Sequence, residues 1–111
     1  MATSTYKILG QSAPTSTSNA DLITVGASKS QIVSTLNVAN VTGTAATTRV
    51  FARIAGAAAA AGNALLYDVS IPANSSASFT LGITLAATDV ITVQTGTANA
   101  LTFTAFGTEL A

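Results

Sequence analysis

What most constrains this chain is a period-two alternation of large apolar residues, carried in short runs that are repeatedly cut by turn-forming residues. Leu65, Tyr67, Val69 and Ile71 alternate with Leu66, Asp68 and Ser70 until Pro72 removes a ladder donor. Ile32, Leu36 and Val38 share one face of a strand spanning about 31–39, closed by Asn40, Thr42 and Gly43. Val50, Ala52 and Ile54 alternate with Arg49, Phe51 and Arg53 before Gly56. Phe79, Leu81 and Ile83 mark another strand, Ile91 and Val93 the next, and Leu101, Phe103 and Ala105 a further one that Gly107 breaks. With 6–9 and 22–25 added, about eight short strands recur at spacings of about 10 to 15 residues. Val, Ile and Thr together number 34, the β-branched content that such strands favour. The pattern predicts an all-β chain, a single antiparallel β-sandwich of the immunoglobulin-like or jelly-roll kind.

The 111 residues suit one domain. Residues 21–111 read as the sandwich, and 1–20 as an extended N-terminal arm and linker, because 11–20 (QSAPTSTSNA) contain no large apolar residue. Alanine supplies 23 of the hydrophobic residues, so only 31 larger ones build the core. The run at 57–61, flanked by Gly56 and Gly62, is too short to nucleate a helix and reads as a loop or single helical turn between two antiparallel strands. NADLITV at 19–25 and ATDVITV at 87–93 echo one another, which fits one local device used twice: an aspartate in a turn leading into a β-branched strand.

The side-chain inventory excludes much chemistry. Without His or Cys there is no disulfide, thiolate, imidazole base, or His- or Cys-ligated zinc or haem. Four carboxylates (Asp21, Asp68, Asp89, Glu109) show no acid/base spacing, and neither Lys7 nor Lys29 stands in a Ser-x-x-Lys frame. Phosphate-loop, dinucleotide and calcium-loop patterns are missing. The chain is therefore expected to be non-enzymatic, with no catalytic residues, cofactor or metal. Asp68 is expected to pair with Arg49 or Arg53 across a hairpin of 47–55 and 64–71, a contact that sets register.

Charged residues are only 7% of the chain and the net charge is zero, so there is no basic footprint for nucleic acid and little self-repulsion. No apolar run is long enough to span a bilayer, and the first residues lack a secretory pattern. These features predict a chain that self-associates, as a homo-oligomer, and is not exported by the usual route, with neither nucleic acid nor membrane as partner. The sequons at Asn40 and Asn74 read as chance in a Ser/Thr-rich chain. The Thr-x-Thr pairs at 3/5, 15/17 and 102/104 lack the constant period of an ice-binding array and read as outward strand positions. Sugar binding calls for exposed aromatic platforms; with Tyr67 in the core register, Tyr6 alone would serve.

Two partner contacts are expected. Arg49 and Arg53 flank Phe51 on one strand face, the residue types enriched at interfaces. Residues 1–12, anchored by Tyr6, Ile8 and Leu9, could add a strand to a neighbour.

The strings KILGQ at 7–11, YDVSIPAN at 67–74 and LGITLAATDVITV at 81–93 resemble a group of small structural proteins of tailed bacteriophages, especially cyanophages. The resemblance covers nearly the whole chain, although the alanine run departs from it. It implies a virion component: a capsid decoration or cement protein that binds the major capsid protein at the capsid surface, or alternatively a tail, neck or fibre module engaging another virion protein or a host glycan.

Overall fold

The structure, a computed structural model, describes residues 3–111. Among the described residues nine strands form two antiparallel sheets that face each other as a β-sandwich. They are β1 (Ser4–Ser12), β2 (Ala20–Thr24), β3 (Ser30–Asn40), β4 (Ala46–Arg53), β5 (Ala64–Ile71), β6 (Ser76–Phe79), β7 (Ile83–Leu85), β8 (Val90–Thr95) and β9 (Leu101–Leu110). The larger sheet has the order β1-β9-β3, with β6 and β7 both pairing along the far edge of β3. The smaller sheet has the order β2-β8-β4-β5. The core between them is built from alternate residues of both sheets, including Val33, Leu36, Val38, Leu101 and Phe103 from one and Val50, Ile71, Ile91 and Val93 from the other.

The 79–83 region forms two strands where the alternation suggested one. Gly82 takes a left-handed conformation (φ 62°), which turns the chain and leaves Leu81 exposed. The segment expected as an arm is also placed differently. Residues 4–12 are β1, hydrogen-bonded along the chain's own β9 from Ser4↔Leu110 to Ser12↔Phe103. Met1 and Ala2 of that segment lie outside the described residues. After β1 the chain crosses from one sheet to the other, pinned where Pro14 is buried and its carbonyl accepts the Asn99 amide. β1 stays with its own domain because its partner is long and the fit is close. A Cβ on Gly10 would collide with the Leu22 carbonyl of β2, so only glycine lets the edge strands of the two sheets close together here.

Five register shifts, two of them in β5, decide which side chains face where. One extra residue in β3 at Ser34, opposite Gly107 and Phe106 of β9, puts Val33 inward and turns Ile32 outward, reversing the face expected for Ile32. Others fall at Leu9 in β1, at Leu22 in β2, and twice in β5: at Leu65, between the Phe51–Ala64 and Val50–Leu66 pairs, and at Tyr67–Asp68, where Leu66 pairs with Val50 but Val69 pairs with Thr48. The second β5 bulge rests on Asp68, whose φ of 55° is in the left-handed region that aspartate tolerates. It sends Leu66 into the core and Tyr67 outward, the opposite of the register read from the alternation.

Between β4 and β5 the alanine-rich segment forms two single 3-10 turns, Ile54–Gly56 and Ala61–Asn63, as a short excursion joining antiparallel strands. The echoed segments at 19–25 and 87–93 become β2 and β8 and pair with each other.

Candidate functional site

Two surfaces stand out, one on the outer face of each sheet. On the larger sheet, alternation along β1, β9 and β3 brings four large apolar side chains together in the open. Ile8 pairs with Phe106, and Thr108 lies between Tyr6 and Ile32. Their exposures are 85% for Tyr6, 52% for Ile8, 42% for Ile32 and 40% for Phe106. Tyr6, Ile8, Phe106 and Ser34 line a shallow groove there. Thr102, Thr104 and Asn37 continue the same outer face as its polar surround. Of the three expected anchors, Tyr6 and Ile8 are at the surface, while Leu9, the next residue after Ile8, alternates to the other side and packs against the core. Phe106 and Ile32 were not readable as members of this patch, because only the pairing of β1, β9 and β3 brings them beside Tyr6 and Ile8.

On the smaller sheet, Thr47, Arg49, Phe51 and Arg53 of β4 and Val90, Thr92 and Gln94 of β8 alternate outward. The expected surface triplet is corrected at its centre: Phe51 shares a face with both arginines but is only 4% exposed, outside the core between the sheets. The excursion of residues 54–63 covers that half of the face; its first 3-10 turn contacts β8 and its second contacts β4, so that Phe51 and Val90 are both buried.

Arg53 fastens this cover. Its Nε donates to the Ala57 carbonyl (2.6 Å), Nη2 to that of Gly56 (2.9 Å), and Nη1 to Asp21 (3.1 Å) and Thr92 (3.0 Å). Asp89 holds the other side, accepting the amides of Ala55 and Ala86 at 2.9 Å each. Those two amides keep its carboxyl below the usual range.

The uncovered half of this face is a polar cleft of about 320 Å³ lined by Thr17, Thr47, Arg49, Asp68, Gln94 and Gly96. Arg49 and Asp68 form a bidentate pair, Nε to Oδ1 at 2.6 Å and Nη2 to Oδ2 at 3.1 Å. The pair raises the arginine and, through the Arg49 hydrogen bonds, lowers the aspartate. Because the bulge puts Tyr67 and Asp68 on one side, Arg49 also lies 4.0 Å from the centre of the Tyr67 ring. Tyr67 is 49% exposed, a surface aromatic that the alternation had assigned to the core.

The remaining charges are also engaged in the fold. Glu109 accepts from Lys7 (2.9 Å) and Gln31 (2.8 Å), with Lys29 at 3.8 Å, and the Lys7 and Gln31 bonds hold its carboxyl low. Each of the four cations thus has an acidic partner. Among the described residues no three of Asp, Glu, His and Cys gather as metal ligands, and no helix is long and apolar enough to cross a membrane. The sequence matches no protein-family model, and no curated protein matches it.

Proposed function

We propose that this chain is a non-enzymatic structural protein of a bacteriophage virion, a decoration or cement protein that docks on the major capsid lattice through the outer face of its larger sheet. The observation that carries this reading is the contiguous patch of Tyr6, Ile8, Ile32 and Phe106. Such a patch exposes on the order of 400 Å² of apolar surface, within the range of the largest patch on an ordinary monomer, which is often functional. An apolar centre with a threonine-rich surround is the usual anatomy of an interface. The low charge content supports the same reading, since copies crowded side by side on a lattice repel each other little. The resemblance of 7–11, 67–74 and 81–93 to small phage structural proteins names the partner.

The decisive measurement is the copy number of this chain relative to the major capsid protein in purified particles, by quantitative mass spectrometry. A ratio near one, or a simple lattice fraction such as one third, is expected. A ratio of a few per cent would move the chain to the neck, tail or fibres, and absence from particles would overturn the virion reading. Deleting residues 1–12 is a poor test, because it strips an edge strand from the sheet. The combined Tyr6→Ser and Ile8→Ser variant is the better one: the sandwich stays folded, and binding to particles lacking the protein falls at least about a hundredfold, roughly 2.7 kcal/mol.

A further inference from the structure

We infer that the cleft on the outer face of the smaller sheet, between Arg49, Asp68, Gln94, Thr47 and Thr17 and beside the Tyr67 ring, is a binding site for a neutral saccharide. The chemistry of the lining points there. Arg49 spends Nε and Nη2 on Asp68, and its Nη1 has no partner among the described residues. Gln94 donates from Nε2 to the Thr17 carbonyl at 2.9 Å, which turns its Oε1 free to accept. The Thr47 hydroxyl likewise has no partner among the described residues. The cleft therefore offers separated donors and acceptors on fixed strands, the arrangement that vicinal hydroxyl groups match.

Charge narrows the ligand class. Arg49 and Asp68 neutralise each other, so an anion would meet the Asp68 carboxylate and a cation the guanidinium, whereas a neutral polyol meets neither penalty. The volume of about 320 Å³ lies at the small end of ligand clefts, room for one or two sugar rings. Tyr67 acts through Arg49: its ring is outside the lining but packs 4.0 Å from the Arg49 guanidinium and keeps that donor in position. Gly96 keeps the cleft open, since a Cβ there would run into the Thr47 hydroxyl. The simpler account, that Arg49 and Asp68 only set strand register, explains their ion pair but assigns nothing to Gln94 or Thr47.

The site does not depend on the capsid reading, and the two tests are separate: loss of particle binding leaves the saccharide site standing, and the reverse also holds. The experiment is a titration of the full chain, followed by amide chemical shifts, with the methyl glycosides of glucose, galactose, mannose and N-acetylglucosamine, and in parallel with inorganic phosphate and a methyl sialoside. At least one neutral glycoside should give saturable shifts centred on Thr17, Arg49, Asp68 and Gly96, with a Kd on the order of 1 mM or tighter. Gln94→Ala and Tyr67→Ala should each weaken it at least tenfold while leaving the remaining amide spectrum in place, and Tyr6→Ser should leave it unchanged. Saturation by none of the four, saturation only by the charged probes, or undiminished binding in Gln94→Ala would overturn the proposal.

Discussion

The outer face of the larger sheet leaves Tyr6, Ile8, Ile32 and Phe106 open to solvent, whereas that of the smaller sheet buries its phenylalanine, Phe51, and shows Arg49, Asp68 and Gln94 instead. The difference does not lie in the strands alone, since both faces mix threonine with large apolar residues. It lies in what crosses over them. An excursion of small residues between β4 and β5 is tied down by Arg53 and Asp89 and covers Phe51 and Val90. Among the described residues nothing comparable crosses β1, β9 and β3 at Tyr6. One of the two faces is thus covered from within the chain, and the other is open among the described residues.

The sharpest way to break that comparison is to truncate one phenylalanine on each face. Phe51→Ala should destabilise the protein by about 3–5 kcal/mol, as for a buried aromatic, while Phe106→Ala should cost less than about 1 kcal/mol and act on association instead. Equal losses in urea denaturation would mean that the two faces are not different in kind. Gly107→Ala comes next. Its Cβ would strike the Ile32 carbonyl, a backbone atom that cannot swing aside, so a loss of about 2–3 kcal/mol is expected, together with disturbance of the Ile32–Phe106 surface. A smaller effect, about 1–2 kcal/mol, is expected for Arg53→Met, which keeps the stem but releases the cover; amide exchange should then speed up at Ala57 and Asn63 and not in β9.

The mildest effect concerns acid. Asp68, Asp89 and Glu109 all have folded values below the ordinary carboxylate range, so their contribution is complete above that range, near pH 4, and is lost as the pH falls through the lowered folded values. Stability should be flat from neutrality to about pH 5 and decline below about pH 4. Asp89→Asn should make that decline shallower; an unchanged acid slope would show that the Ala55 and Ala86 amides are not what holds the cover in place.

Much of this was legible from residues alone. β-branched alternation located the strands, the alanine run was readable as a turn between antiparallel strands, and the Asp68 pairing was narrowed to two arginines, of which the structure uses Arg49. Two failures share one cause. Ile32 and Tyr67 were each given the wrong face because a bulge adds a residue to one strand opposite a partner distant in sequence, and periodicity within a strand carries no trace of that; Leu9, next to outward-facing Ile8, faces inward by plain alternation. Phe51 failed differently. Its outward direction was right, but its burial depends on a loop whose path no local pattern specifies. The polar cleft was missed for both reasons, since Tyr67 was misfaced and Thr17 and Gln94 meet only through the crossover. Only Asp68, a residue type that tolerates left-handed backbone, offered a local hint of its bulge.

The pairing of β1 with β9 also governs how the molecule comes into being. β1 has no partner in its sheet until β9 has been synthesised, about ninety residues later, and β3 must wait for the same strand on that side. A ladder closed over so long a loop forms late and slowly, on the millisecond-to-second scale of sandwiches rather than that of helical bundles. During that interval β1 is an unpaired, proline-free strand carrying Tyr6 and Ile8. The strand that closes the larger sheet is thus the last one made, and the time for which Tyr6 and Ile8 stand on an unpaired edge is set by how quickly the residues between β1 and β9 are completed.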